Sequence, residues 1–504
     1  MSNPSAPPAA QPREPRHSLW EAVARSVRDN VIAEFVVQGV RVGGFVVLAR
    51  ALRPEDFGIF RILLVVSVFA TLSNDAGITD ALVQRKELTA AHEATAWWLG
   101  MVAATCSVLI LYAAAPAIAA AMGTPNLTGG ERLLCLPILL DATTVVPASR
   151  LRRALNFTAL AIADIAAEIG FIAVALLVLW RGMPAWALAG GLAARFAVHA
   201  IAIWIANPGF PRGLPRRQAA YDFAHFSIAA WGGRIIYVLS SNADYLLVGR
   251  LLGSSALGFY SMAWDVLRFV PDRLHRVAGR VTFPAFCILQ DDREALSRAY
   301  LDFFDYMARV VLPLAACAAI AAPEILGTIY GPQWIPAALP MRLLAPGLAL
   351  SGLRLGIGSV FFSKNRPVID MYLHGVRLGF LVAAVLGLAR FELLGVSAGM
   401  SVVEGVVSVI GQALACALLG LSFRKLAWSA MPALRLTALC ALATIGGRTL
   451  AIFASSGGPT ILLAAALPPA LVYLWMERSN AIDLIGKAFV PSAGARPKAS
   501  EAQA

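Results

Sequence analysis

The stretch Gly232–Tyr260, GGRIIYVLSSNADYLLVGRLLGSSALGFY, begins as an apolar helix and ends in a signature that the chain carries twice. Arg234, Tyr237, Ser241 and Asp244 interrupt it at steps that keep all four on one helical face. Its end, Val248-Gly249-Arg250-Leu251-Leu252 followed by Gly258-Phe259-Tyr260, repeats Leu48-Ala49-Arg50-Ala51-Leu52 followed by Gly58-Ile59-Phe60. Arg50/Arg250, Leu52/Leu252, Gly58/Gly258 and Phe60/Tyr260 align without a gap at a register of 200 residues. The chain therefore reads as two copies of one helical bundle, each entered by such a helix.

Working outward, the composition places the protein in a membrane. Of 504 residues 59% are hydrophobic and 14% charged, with mean hydropathy +0.70, against roughly 25% charged in soluble domains. Alternating ten-residue strands are absent, which argues against an outer-membrane barrel. Six cysteines are scattered without a CxxC pair, so neither a disulfide framework nor a zinc site is indicated.

Apolar runs of about 20 residues predict about fourteen crossings. They lie near 30–52, 58–80, 94–118, 132–150, 157–180 and 184–206, then 223–249, 257–282, 303–328, 337–362, 369–389 and 395–421, and finally 431–453 and 459–477. The expected organisation is a disordered tail over 1–29 with a short interfacial helix at Leu19–Asp29, an N-lobe over 30–206 and a linker over 207–222. A C-lobe over 223–421, two further helices over 422–477 and a tail over 478–504 complete it. This is an all-α polytopic membrane protein. Six crossings per repeat bring both copies in from the same side, so their pseudo-two-fold axis runs along the membrane normal.

The net charge of +12 follows topology. Arg85, Lys86, Arg150, Arg152, Arg153, Arg212, Arg216, Arg217, Lys364, Arg366, Arg424 and Lys425 fall in even-numbered loops, whereas the odd-numbered loops hold few basic residues. The positive-inside rule then puts both termini in the cytoplasm, and no nucleic-acid partner is needed to explain the charge. Every loop is short, the longest expected at Asn207–Asp222 and Pro284–Asp302, and P-loop, dinucleotide and HExxH motifs are missing. Gly395-Val396-Ser397-Ala398-Gly399 fits GxSxG but opens a membrane helix, so small-residue packing explains it, as it does Gly39/Gly43 and Gly352/Gly356. The sequence predicts no enzyme and no catalytic residue.

Charged residues inside the spans carry the functional signal. Glu34, Gln38 and Arg41 mark the first span, Arg61 and Asp75 the second, Asp164 and Glu168 the fifth, Arg195 and His199 the sixth. Ser261, Asp265, Arg268, Asp272 and His275 form a stripe on the eighth, Asp370, His374 and Arg377 on the eleventh, and Glu404, Ser408 and Gln412 on the twelfth. A central arginine costs about 2.5–3.5 kcal/mol against lipid. Arg41, Arg234 and Arg268 must therefore face water, a carboxylate or an anionic ligand. Pairing with nearby acids (Arg41 with Glu34, Arg268 with Asp265 or Asp272) is one account; a hydrated central cavity is the other.

Several segments resemble a known family. They are Leu52–Phe60, Ala81–Lys86, Asn242–Arg250, Leu257–Tyr260, Phe283–Phe286 with Asp291-Asp292, and Gly331–Trp334 with Pro336-Ala337-Ala338. Together they look like the polysaccharide flippases (O-antigen and exopolysaccharide, Wzx-type) of the multidrug/oligosaccharidyl-lipid/polysaccharide exporter superfamily, over about residues 30–425. The resemblance implies translocation of an undecaprenyl-pyrophosphate-linked oligosaccharide across the bacterial inner membrane by alternating access. It implies a lipid-linked oligosaccharide, membrane lipids and polysaccharide polymerase or export machinery as partners, and a functional monomer. Arg41, Arg61, Arg234 and Arg268 become candidate phosphate or sugar contacts, with Arg354 and Arg377 behind them. No cofactor is implied beyond coupling to a proton or sodium gradient, for which Glu34, Asp75, Asp244 and Asp265 are candidates. A peptidoglycan-precursor flippase shares the class. A multidrug antiporter would call for an acidic, aromatic cavity, and a glycan polymerase for a large periplasmic loop.

Overall fold

The computed structural model describes residues 36–75, 79, 82–83, 89–125, 127–454 and 457–489, with backbone alone at 73–75, 218–232, 276–281 and 478–489. The first 35 residues, with the helix expected at Leu19–Asp29 and Glu34, and residues 490–504 lie outside the described residues, whereas 478–489 of the expected C-terminal tail continue the last helix. The described chain is helical throughout, with no strand. Helix α1 covers 36–51 and α2 Pro54–Asp75. They are followed by α3 (Ala90–Met122), α4 (Leu127–Ala142), α5 (Val145–Arg153), α6 (Phe157–Trp180) and α7 (Pro184–Ala206). Next come α8 (Arg217–Ile288), α9 (Arg293–Ile320), α10 (Ala338–Leu353), α11 (Ile357–Ser363), α12 (Pro367–Leu388) and α13 (Glu392–Leu419). The last are α14 (Phe423–Ser429), α15 (Met431–Phe453) and α16 (Gly458–Phe489).

Local chemistry sets the helix ends. A capping box at Thr89 and His92 opens α3, and Gly123, at φ 66°, closes it in the left-handed conformation that glycine adopts without strain. Asn156 accepts from the Ala159 amide (3.1 Å) to cap α6, so half of a glycosylation-like Asn-Phe-Thr serves a structural end. Asp292 caps α9 through the amides of Glu294 and Ala295 at 3.0 and 2.9 Å.

Nine described segments are long and apolar enough to cross a membrane, and the pair α4–α5, bent by 42°, makes a tenth. Two of the nine are too long for one crossing. Gly233–His275 has 43 residues and Pro367–Leu419 has 53, which at 1.5 Å per residue exceed a core of about 30 Å twofold or more. Each is broken midway, the first at Gly253 (φ 86°, ψ 172°), the second between Leu388 and Glu392. With α1 and α2, the described helices account for the fourteen expected crossings.

Packing divides the chain into two units, Met1–Leu52 with Ile59–Val238, and Arg53–Gly58 with Leu239–Ala504. The units repeat one plan. The α8 break at Gly253 stands at the same register as Arg53, the non-helical residue between α1 and α2. The fourth crossing is also interrupted in both: α4–α5 at Thr143-Thr144, α10–α11 at Arg354–Gly356. In the second unit, Gly58 lies against the Ser254 carbonyl and Gly258 against the Pro54 carbonyl, too close for a β-carbon at either position. The Phe57 ring meets Trp334 edge-on at 5.0 Å beside them.

Four expectations need correction. The Pro284–Asp302 loop is only residues 289–292, because α8 runs through Pro284 to Ile288 and α9 starts at Arg293. The seventh crossing starts earlier than expected, at Arg217, since the polar residues there continue the helix beyond the apolar run. The tenth, expected at 337–362, is a 3-10 turn at Pro332–Ala337 followed by two helices, because Pro332, Pro336 and Gly356 break the ladder. Gly39 and Gly43 meet nothing within 4 Å, and the close contact is made by Gly44 on Ile172 instead. The GxSxG segment does lie within a helix: Ser397 is buried and donates to the Leu393 carbonyl (2.7 Å), while Gly395 and Gly399 pack on Leu388.

Candidate functional site

Each unit holds an ionic cluster in the middle of its helices. In the first, α1 brings Arg41, α6 Glu168 and α7 Arg195 to one place. Arg41 Nε donates to Glu168 Oε1 at 3.1 Å, with Nη2 on the same oxygen, and Arg195 Nη2 lies 3.1 Å from that oxygen. The Glu168 side chain is only 5% exposed, whereas the arginines are 40% and 41% exposed. One buried carboxylate thus anchors two guanidinium groups on side chains that are each about two-fifths exposed. Beside them His199 Nδ1 is 2.7 Å from Asp141 on α4, and its Nε2 is 3.9 Å from Asp164 on α6.

The second unit has a tighter cluster. Arg377 on α12 donates through Nε to Glu404 on α13 at 2.9 Å, and Arg354, at the α10–α11 break, reaches the other Glu404 oxygen at 3.2 Å. Glu404 and Arg377 are buried. Arg377 also donates to the Ser240 carbonyl on α8, and Ser240 Oγ is 3.3 Å from His374. Asp244, fully buried on α8, accepts from the Tyr260 hydroxyl at 2.9 Å and is an electrostatic neighbour of Arg268 and Arg377. The Arg268 guanidinium stacks over the Trp264 ring at 4.1 Å. Tyr300 closes the region by donating to Gln412 at 2.6 Å, and the Gln412 amide donates to the Leu353 carbonyl at 2.7 Å.

Corresponding helices carry opposite signs. The first, fifth and sixth crossings of the first half (α1, α6 and α7) supply Arg41, Glu168 and Arg195; the same crossings of the second (α8, α12 and α13) supply Asp244, Arg377 and Glu404. Breaking such a buried pair costs about 3–5 kcal/mol because the remaining charge is stranded. The helices within each unit are therefore locked by ions as well as by apolar packing.

The sequence candidates are distributed accordingly. Arg41, Arg354 and Arg377 sit in the clusters, each on a carboxylate. Arg268 is half-buried over Trp264, Arg61 and Asp265 are half-buried, and Arg234 is exposed with Tyr237. Asp75 ends α2 with its side chain outside the description, as is all of Glu34. The local pairing expected of Arg41 with Glu34 gives way to Glu168, 127 residues away. Glu168 and Arg195 lay on recognised polar stripes without being picked as site residues. Among the described residues, no group of three or more His, Cys, Asp or Glu side chains could hold a metal ion.

In the first unit, a clasp holds the segment that follows α7. Arg150 grips Glu93 with Nε at 3.0 Å and Nη2 at 2.6 Å and donates to the Gly209 carbonyl. Phe210 sits between Trp97 (4.8 Å) and Trp204 (5.9 Å), and the Arg216 amide donates to Thr95 Oγ1 at 3.0 Å.

Comparison with known proteins places this architecture. The chain is 22% identical over 438 residues to the teichuronic acid biosynthesis protein TuaB of Bacillus subtilis (strain 168), covering 85% of this chain and 89% of that one. It is 24% identical over 406 residues to the lipopolysaccharide biosynthesis protein WzxC of Escherichia coli (strain K12), covering 78% and 80%. A third relative, the succinoglycan biosynthesis transport protein ExoT of Rhizobium meliloti (strain 1021), is 28% identical over 330 residues, covering 64% and 66%. Among solved structures, the lipid II flippase MurJ in an inward closed conformation shares the fold at TM-score 0.69 and 13% identity, covering 90% of this chain and 99% of that one. A multidrug resistance MATE family transporter of the MOP superfamily, inward-facing, follows at 0.60 and 14%, covering 77% and 98%. Residues 47–339, which include the doubled Arg–Gly signature with Gly58 and Gly258, match the family described as polysaccharide biosynthesis protein, and the chain belongs to that family.

Proposed function

We propose that this protein is a flippase that carries an undecaprenyl-pyrophosphate-linked oligosaccharide repeat unit from the cytoplasmic to the periplasmic leaflet of the bacterial inner membrane. The observation that carries the reading is the Arg41–Glu168–Arg195 trio. An exposed guanidinium in lipid costs about 2.5–3.5 kcal/mol at the centre of a helix, so the two groups face water or an anion. A guanidinium fork binds phosphate oxygens bidentately, and a pair fixed by one carboxylate is already positioned for them. Sugar hydroxyls then meet polar side chains, while the prenyl tail stays in the bilayer.

In this reading both termini are cytoplasmic, and the protein works as a monomer beside polysaccharide polymerase and export machinery. A proton or sodium gradient drives the cycle, with Asp244 and Asp265 as the described coupling candidates. The lipid-linked peptidoglycan precursor remains the second substrate class that the same anion site would accept. The names of the relatives in teichuronic acid, lipopolysaccharide and succinoglycan biosynthesis support the polysaccharide reading.

The test is export of the native polysaccharide with chromosomal variants. Arg41→Ala and Arg195→Ala should each lower export at least tenfold at normal protein abundance, and the lysine variants should restore it only partly. Full export in both alanine variants at normal abundance would remove the trio as the substrate site. Accumulation of a lipid-linked peptidoglycan precursor on depletion, with polysaccharide unaffected, would favour the second substrate.

A further inference from the structure

Glu131 stands apart from both clusters. It is the fifth residue of α4, about 6 Å along the axis from the helix start. Leu127, Leu134, Cys135 and Ile138 bury the same helical face, and the neighbouring Gly130 rests on Leu63 of α2, where a methyl would come within 3.1 Å. The Glu131 side chain is 0% exposed, and neither carboxyl oxygen has a hydrogen-bond partner among the described residues.

Charged neighbours are engaged elsewhere. On α4 itself, Arg132 lies over the Tyr112 ring of α3 at 4.6 Å, and Asp141 holds His199. The Cys135 thiol donates to backbone carbonyls, those of Val108 at 3.9 Å and of Glu131 at 3.5 Å. On the helices packed against α4, Glu93 of α3 is held by Arg150, His92 caps α3, and Cys106 is exposed. Arg195 of α7 sits on Glu168. Arg61 of α2 gives the Glu131 carboxyl no hydrogen bond.

An ionised carboxylate sealed in such a place, without a cation or donors, would cost far more than the few kcal/mol that a neutral, unpaired carboxyl costs. We propose that Glu131 is a proton-binding site of the first unit, loaded while α2, α3 and α7 close over it. When that packing opens, the proton passes to water and a hydrated carboxylate remains. Proton occupancy stands whatever the cargo; only its link to a transport cycle rests on the flippase reading.

Infrared spectra of the full-length protein in liposomes test this without reading transport. At pH 7 the difference between wild type and Glu131→Gln should contain the C=O band of a protonated carboxyl, and Glu131→Asp should shift that band. Absence of the band in wild type would overturn the proposal. Thermal unfolding gives the second readout. The folded state holds a proton that the unfolded state has released, so wild-type stability falls as pH rises. Glu131→Gln should melt with wild type near pH 4, where both states of the wild type hold the proton, and several degrees above it at pH 9. A glutamine variant destabilised equally at both pH values would mark Glu131 as an ordinary packing residue and end the proposal.

Discussion

Gly58 and Gly258 face reciprocal obstacles: a β-carbon at 58 would overlap the Ser254 carbonyl, and one at 258 would overlap the Pro54 carbonyl. At a register of 200 residues, Pro54 and Ser254 are the same position of the repeat, as are the two glycines. The same contact is thus made twice, from repeat-equivalent positions. The crossing needs glycine for closeness, since backbone rather than a yielding side chain stands in the way.

Gly58→Ala and Gly258→Ala should therefore each destabilise by about 1–3 kcal/mol, the usual cost of overpacking. Thermal unfolding in detergent measures it. Because both substitutions push the same two helices apart, the double variant should lose less than the sum. Alanine at either position with an unchanged melting temperature would show that the helices do not cross here.

The buried Arg377–Glu404 pair predicts an asymmetric result. Arg377→Ala strands Glu404 with Arg354 alone and should cost about 3–5 kcal/mol, seen as lost abundance. Arg377→Met combined with Glu404→Leu should recover more than half of that loss, since no charge is left uncompensated. Equal abundance of the single and double variants would refute the lock.

The linker clasp can be tested by proteolysis. Arg150→Ala removes three hydrogen bonds to Glu93 and Gly209 and should speed trypsin cleavage after Arg212 several-fold. Arg150→Lys should not restore protection, because an ammonium cannot copy the two-point grip on Glu93. Cleavage at the wild-type rate in both variants would show that the aromatic stack alone holds the linker.

Arg234 is exposed on α8. Arg234→Ala should leave abundance normal and reduce polysaccharide export several-fold, with Arg234→Lys between the two. Loss of abundance instead would assign Arg234 to folding.

Orientation is open to a labelling experiment. Cysteines at Gly123 and Gly458 should react with a membrane-impermeant maleimide in intact cells, and one at Gly213 only after the membrane is opened. Reaction at Gly213 from outside would reverse the leaflets.

The crossings and the repeat were legible because hydropathy and the Arg–Gly signature are local properties of the string. Partners were not. Arg41 finds Glu168 across 127 residues and Arg377 finds Glu404 across 27, and only folding selects one acid from several on suitable faces. Arg354 was a second-tier candidate by resemblance alone, and the glycine at 356 beside it read as ordinary small-residue spacing. Gly253, by contrast, falls in the loop expected between the spans at 223–249 and 257–282, where the structure has its break. Glu131 attracted no notice because a single acid near a helix start is commonplace, and its isolation appears only once three helices surround it.

The sign reversal between the two ionic trios limits how this molecule can be rebuilt. Although the halves share a plan, their parts are not interchangeable. Grafting α6 into the place of α12 would set Glu168 beside Glu404, two carboxylates left with Arg354 alone. Exchanging α6 with α7 together for α12 with α13 would keep each grafted pair neutral yet leave Arg41 facing Arg377 and Asp244 facing Glu168. Only a transplant of the first, fifth and sixth helices as a set would carry its own counterions. For chimaera building, the smallest portable module is thus three helices scattered along the chain, not any continuous segment shorter than a half.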